Sequence, residues 1–250
     1  MIEFLSFHLS YTDIALLFSV ALLIGMAKTG IHGTGMAAVP LLALVFGGKL
    51  SSGIMLPILC IADVFAVFYY HRHTKWAHLI KLFPWAAGGV IIGTYVGENI
   101  NDEIFRIIMG VIIFVSLGIM IWQERSKNKH IPEGLWFAAL LGVLGGFTTM
   151  VGNLAGSVMA LYLLTMRLPK NEYIGTAAWF FMILNWFKIP FHVFAWETIT
   201  LDSFLLDLTT IPAVAIGAFL GVSVVKKIPE HFYRWFIIGT TALASLLMIF

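Results

Sequence analysis

Long apolar runs alternate with short polar punctuation along this chain, and the runs are too continuous to be the two-residue alternation of half-buried strands or the one-sided stripe of a surface helix. Ten segments can be cut, at 12–27, 34–47, 51–70, 80–97, 104–122, 134–148, 153–166, 172–194, 204–225 and 231–250. A helix needs roughly 20 residues to cross a hydrocarbon core about 30 Å thick, and most of these segments reach that length. Two adjacent pairs do not. Segments 12–27 and 34–47, and again 134–148 and 153–166, run to about 14–16 residues, or ~22 Å at ~1.5 Å per residue.

Each short pair is broken by a polar, glycine-containing turn: Lys28-Thr29-Gly30-Ile31-His32-Gly33-Thr34-Gly35 in the first, Thr148-Thr149-Met150-Val151-Gly152-Asn153 in the second. Such a turn is either a loop at the membrane surface or the tip of a re-entrant hairpin, and both return the chain to the side it came from. The segment order therefore predicts one charge distribution for both cases. Arg72, Lys75, Lys81, Arg125, Lys127, Lys129, Arg167, Lys170, Lys226, Lys227 and Arg234 fall on one side, Lys49 and Arg106 on the other. That bias marks the first side as cytoplasmic. Both termini are expected on the opposite, periplasmic side of a bacterial inner membrane.

The two halves echo each other. Gly93-Thr94-Tyr95-Val96-Gly97 matches Gly217-Ala218-Phe219-Leu220-Gly221, Ile104-Phe105-Arg106 matches Phe232-Tyr233-Arg234, Gly35 matches Gly156, and mid-helix Asp63 falls opposite Asn185. An odd number of segments per half inserts the second half upside down relative to the first, a plan common among secondary transporters. The expected architecture is an all-α polytopic membrane protein. Its first inverted repeat is expected at 1–125, a cytoplasmic linker at 126–133 and the second repeat at 134–250.

Composition agrees with the segment pattern: 60% of the 250 residues are hydrophobic and 11% charged, with a mean hydropathy of +0.94, far from the roughly 25% charge of soluble domains. Fifteen basic against thirteen acidic residues form no stripe for a nucleic acid. The single cysteine, Cys60, excludes a disulfide framework and a CxxC site. Residues 1–11 carry Glu3 in place of the positive n-region of a signal peptide, so the N-terminus is expected to be retained.

Few ionisable residues remain at membrane depth: Lys28, His32, Asp63 and Lys188, with Asp207 about one turn inside its segment. A charge at a helix centre costs about 2.5–3.5 kcal/mol on insertion scales, so each needs a partner or a function. Lys188 and Asp207 could instead snorkel or pair near an interface, and Asp63 could be a protonated carboxyl bonded to a neighbouring helix. Asp63, Asn185 and Lys188 are the candidate coupling or pathway residues. The glycine-rich turns are the stronger signal. A helix that starts inside the membrane presents unpaired N–H groups and the positive end of its dipole, for which an oxyanion is a natural partner.

The candidate substrate-binding residues are therefore Lys28, Thr29, Gly30, His32, Gly33, Thr34 and Gly35 from the first turn, with Thr148, Thr149, Gly152, Asn153, Gly156 and Ser157 from the second. Thr34 and Asn153 suit N-cap positions, the threonines supply orientable donors, and Lys28 or His32 supplies positive charge. The bland alternative is close helix packing at an ordinary surface turn. No second ligand stands beside His32 at metal spacing, so neither metal nor cofactor is expected. His71, His73 and His78 read as a solvated face, and Tyr69, Tyr70, Trp76, Trp122, Trp136, Trp196 and Trp235 as interfacial belt residues. Trp179 and Trp186 lie deeper, where they could line a pathway.

The motif Gly30-x-x-Gly33-x-Gly35 followed by Val39-Pro40-Leu41-Leu42, its degenerate copy from Gly152 to Gly156, and the GxxxG of the fourth segment in each half together resemble the TauE/SafE family of sulfite exporters over nearly the whole chain. That resemblance implies transport of a small sulfur-containing anion such as sulfite, thiosulfate or an organosulfonate. A phosphate loop of the GxxxxGK[ST] type is missing from the sequence, so energy input is expected from a gradient, with a proton on Asp63 or His32 as one way to couple it. No HExxH, GxSxG or aspartate pair supports an intramembrane enzyme. An anion channel or a non-catalytic membrane subunit is the alternative to a carrier.

Overall fold

The computed structural model describes residues 2–4, 6–31, 34–101, 103–104, 134–229, 232 and 235. A two-stranded antiparallel hairpin, β1 (Ile2–Phe4) and β2 (Phe7–Leu9), precedes the helices. The first helix, α1 (Tyr11–Lys28), starts at a reciprocal cap: the Ser10 hydroxyl accepts from the Asp13 N–H while the Asp13 carboxylate accepts from the Ser10 N–H. Then follow α2 (Thr34–Phe46), α3 (Gly48–Tyr70) and α4 (Trp76–Asn99), and after the undescribed stretch α5 (Leu135–Gly152), α6 (Ala155–Thr165), α7 (Lys170–Pro190), α8 (Leu201–Thr209) and α9 (Ile211–Lys227).

Among the described residues five helices are long and apolar enough to cross a membrane, and the bent pair α8–α9 makes a sixth. The 13-residue α2 and 11-residue α6 are short, as the segment lengths predict. Apart from Ile104, Phe232 and Trp235, the expected segments 104–122 and 231–250 lie outside the described residues, as do the linker at 126–133 and Arg106, Arg125, Lys127, Lys129 and Arg234.

Three boundaries differ from expectation for physical reasons. Helix α5 runs on to Gly152, so Thr148 and Thr149 are helical rather than part of the turn. Their hydroxyls do not break the helix, since Thr148 bonds back to the Gly145 carbonyl at 3.1 Å and Thr149 is engaged across the interface. The segment expected as one helix over 204–225 bends by 50° at Thr210. There Pro212 withholds a donor and the Thr210 hydroxyl takes the Asp207 carbonyl at 2.6 Å. Finally, α7 ends in a π-turn at Phe191–Ala195 just after Pro190.

Two helix crossings repeat one register. In the contact of α1 with α9, a Cβ on Gly25 would collide with the Val214 carbonyl and the Ala218 amide, and one on Gly217 with the Leu22 carbonyl. In the contact of α5 with α4, a Cβ on Gly146 would collide with the Ala86 carbonyl and the Val90 amide, and one on Gly89 with the Val143 carbonyl. Gly25 and Gly146 are 121 positions apart, as are Leu22 and Val143, whereas Val214 and Ala86, Ala218 and Val90, and Gly217 and Gly89 are all 128 apart. Small residues allow this backbone approach, which drives helix association where lipid supplies no hydrophobic force. The packing pairs Gly217 with Gly89, one helical turn earlier than the Gly93 match read from the motif.

Helices α3 and α7 fill the space between the two crossings and carry the buried Asp63, Asn185 and Lys188. Loops 71–75, 167–170 and 226–228 gather at one end of the molecule, where Lys75 pairs with Glu172 at 3.0 Å and Lys170 donates to the Ile228 carbonyl at 2.9 Å. At the other end Lys49 lies 5.2 Å from the Trp196 ring and a Cβ on Gly53 would collide with Thr198. The basic residues of the described loops thus concentrate at one end, as the segment order predicts.

Candidate functional site

Asp63 stands two-thirds of the way along α3 with no exposed surface. One carboxylate oxygen pairs with the Lys28 ammonium at 2.8 Å, and the other accepts from the Asn185 amide of α7 at 2.6 Å. Lys28 is the last residue of α1, and its ammonium also lies 4.2 Å from the centre of the Phe181 ring, a favourable seat for a cation. Two helices and the first turn thus meet on one carboxylate.

One helical turn beyond Asn185, Lys188 is equally buried. It does not snorkel, because its ammonium donates to the Thr149 carbonyl at 2.9 Å, the Thr149 hydroxyl at 3.0 Å and the Asn153 side-chain oxygen at 2.6 Å. All three acceptors are neutral. Cys60, one turn before Asp63 on α3, is buried as well. With its groups ionised, this cluster holds two ammonium groups and one carboxylate, and so carries one uncompensated positive charge deep inside the helices.

The second turn is built differently from the capping role expected for Asn153. That residue adopts the left-handed conformation, φ 58°, and terminates α5. Its amide donates to the Ser52 carbonyl at 3.1 Å while its oxygen accepts from Lys188, so the side chain is turned away from α6. Leu154 occupies the N-cap of α6 and offers no side-chain cap. Gly156, in the first turn of α6, faces open space. Gly152 is buried, and the Ser157 side chain lies outside the described residues.

In the first turn, Gly30 at φ 133° allows the reversal after α1 that a Cβ would obstruct. Thr34 and Gly35 open α2, with Thr34 as its first helical residue and its side chain outside the described residues, as are His32 and Gly33 entirely. The Thr29 hydroxyl faces α9, bonding the Gly25 and Ala218 carbonyls at 3.0 Å, and so is not turned toward the lysines. The Thr29 carbonyl accepts from the Tyr70 hydroxyl at 3.4 Å.

The two turns lie toward opposite ends of α3, the first near Tyr70 and the second near Ser52. Asp63, Asn185 and Lys188 occupy the interval between them. Two polar groupings, Lys28–Asp63–Asn185 and Lys188–Thr149–Asn153–Ser52, therefore lie along α3 and α7 between the turns.

Several residues take other roles than their sequence pattern suggests. Trp196 is buried, donating its indole N–H to the Thr94 carbonyl at 3.2 Å, and Tyr70 is buried as well; neither is a belt residue. Trp186 is 55% exposed on the outer surface of α7, so it lines no internal path. Trp179 is half-buried against Trp76. His192 and Ser52 were not evident from the pattern. His192 is fully buried in the π-turn, 2.8 Å from the Thr198 hydroxyl, and the only cue to it is Pro190 two residues before. Asp207 is buried too, and neither of its side-chain oxygens has a hydrogen-bond partner among the described residues.

Comparison with known proteins adds an independent line. The family model described as "Sulfite exporter TauE/SafE" matches residues 17–248. Two curated relatives, each named "Probable membrane transporter protein MamO", are similar: one from Magnetospirillum gryphiswaldense at 21% identity, one from Paramagnetospirillum magneticum at 19%. Each alignment covers 70% of this chain and 34% of the relative, so the chain spans about a third of the length of the curated relatives it matches. No solved structure matches it.

Proposed function

Because the chain belongs to the TauE/SafE family of sulfite exporter-type membrane transporters, we propose that it carries a small sulfur-containing oxyanion, sulfite or a related thiosulfate or organosulfonate, by alternating access. The observation that carries this reading is Lys188, a buried amine whose partners among the described residues are neutral oxygens, one helical turn from Asn185, which shares the Asp63 carboxylate with a second lysine, Lys28. Removing an ion from water costs several kcal/mol even after relaxation, and three neutral acceptors offset only part of that cost. An anion entering beside Lys188 would complete the charge balance, with the start of α6, where Leu154 supplies no side-chain cap, and the open space at Gly156 as its second contact.

Alternation is supported by the shared register of the two crossings, α1 with α9 and α5 with α4. Two halves related by a two-fold axis in the membrane plane could exchange conformations, each turn serving as the barrier on its own side. Lys28–Asp63 would hold the side of the first turn, Lys188–Asn153 the side of the second. In this reading the basic end faces the cytoplasm of a bacterial inner membrane.

The test is flux in proteoliposomes. Sulfite uptake that saturates and is accelerated by sulfite preloaded inside, and that is lost in Lys188→Met, is the expected result. Flux rising linearly with concentration, without exchange, would point to a pore instead. Sulfite flux in Lys188→Met equal to that of the unaltered chain would remove the site.

A further inference from the structure

At the basic end of the molecule a cavity of about 330 Å³ opens among the end of α3, the start of α7 and the end of α9, lined by Tyr70, His73, Lys170, Asn171 and Lys226. We propose that this cavity is a second oxyanion-binding site, at the mouth of the path to the buried lysines, with Tyr70 as the partition between the two. The oxyanion assignment stands on the cavity's own side chains; its place on the path rests on the function proposed above.

Three observations carry it. Two lysines and a histidine converge on one cavity, and the carboxylate near its rim, Glu172, is engaged at 3.0 Å by Lys75. Parts of the wall are held by specific contacts, although His73, Asn171 and Lys226 are exposed. Lys170 is tied to the Val225 and Ile228 carbonyls at 3.3 and 2.9 Å, and the Lys226 ammonium sits 5.2 Å from the Tyr69 ring. The loop carrying His73 is pinned to α7 by the Thr74 hydroxyl on the Gly175 carbonyl and by the Lys75 amide on the Thr176 hydroxyl. Third, the floor communicates with the deep site: Tyr70 lines the cavity, and its hydroxyl holds the carbonyl of Thr29, the residue that follows Lys28.

Such a cavity takes a compact group bearing one or two negative charges, with Asn171 as a neutral donor beside the ammonium groups. A free sulfur oxyanion and the phosphate of an anionic lipid share that chemistry. The two sources differ in a way that can be measured.

The test uses the full chain purified in neutral detergent and titrated with sulfite by calorimetry. Two classes of site are expected. Lys226→Gln should weaken one class about five- to tenfold and leave the other in place, while Lys188→Met should remove the other and leave the first. Lys226→Arg should restore the weakened class, which separates lost charge from lost packing. If the deep site fails but Lys226 still governs a sulfite class, the cavity stands without the carrier reading. A parallel arm reconstitutes the chain in nanodiscs of phosphatidylcholine with or without phosphatidylglycerol. Phosphatidylglycerol retained through Lys226, with sulfite heats indifferent to Lys226, assigns the oxyanion group to lipid. Monodisperse Lys226→Gln and His73→Gln variants that change neither sulfite binding nor lipid retention would overturn the proposal.

Discussion

Asp63 and Asn185, 122 positions apart in the chain, meet side chain to side chain at 2.6 Å. They are also the positions that correspond when the second half of the sequence is laid over the first. Corresponding residues of two symmetry-related halves can touch only where the axis passes between them. Under the inverted repeat proposed above, their contact, beyond the midpoints of α3 and α7, would set the axis at the buried polar cluster. It also explains why one member is a carboxylate and the other its amide: two carboxylates face to face would repel, and the amide donates where a second acid could not.

The Lys28–Asp63 pair yields the first prediction. Removing one partner of a buried ion pair leaves an uncompensated charge and costs about 3–5 kcal/mol, so Asp63→Asn should sharply lower the melting temperature in detergent. Adding Lys28→Met to that variant removes the stranded ammonium and should recover most of the loss. A double variant no more stable than Asp63→Asn alone would mean that the pair is not an energetic unit.

Lys188 behaves in the opposite way. Lys188→Met removes an ammonium whose burial costs several kcal/mol and strands three neutral acceptors, at about 1–3 kcal/mol for a desolvated group. The melting temperature without ligand should hold or rise. The upward shift expected from sulfite on the unaltered protein, about 2.7 kcal/mol of stabilisation per site at a hundredfold excess over Kd, should shrink to the part that the basic cavity contributes. A sulfite shift of undiminished size in this variant would exclude Lys188 from the site.

Two glycines separate packing from binding. Gly146 lies against the Ala86 carbonyl with no room for a methyl group, whereas Gly156 faces open space at the start of α6. Gly146→Ala should destabilise the α4–α5 crossing by about 1–3 kcal/mol, the cost of overpacking, and lower the yield of monodisperse protein. Gly156→Val should fold at normal yield and bind sulfite more weakly, because its side chain fills the approach to the α6 amides. Comparable folding losses in both would show that Gly156 is a packing residue as well.

Much of this was legible in the chain. The apolar runs located the crossings because backbone groups in lipid must be satisfied within each helix; of the short pairs, 34–47 and 153–166 marked the short α2 and α6, whereas 12–27 and 134–148 lie in α1 and α5, which at 18 residues each are long enough to cross. Buried ionisable residues pointed to Asp63 and Lys188 on cost alone. The pairings were not legible, since hydropathy carries no side-chain direction. Nothing in the pattern assigns Lys188 to Thr149 and Asn153, because the turn was placed at Thr148 and α5 continues through it to Gly152. The same limit applies to Asn153, whose residue type suits an N-cap. A left-handed C-cap draws on the same preference of asparagine, and sequence does not distinguish the two.

Orientation is the last prediction, and the chain offers a clean background for it, because its single cysteine, Cys60, is buried. Membrane-impermeant maleimide should leave the unaltered protein unlabelled in intact cells. Glu197 and Lys227 are both exposed, at opposite ends of the bent pair α8–α9, which runs between them. With the basic end in the cytoplasm, Glu197→Cys should label from outside intact cells and Lys227→Cys only after the membrane is opened. The reverse pattern would invert the molecule and place the basic cavity on the outer surface. Labelling of both from one side would mean that α8 and α9 do not cross, and would take the alternating-access reading with it, since the crossing of α9 with α1 is one of the two matched contacts on which the exchange of halves depends.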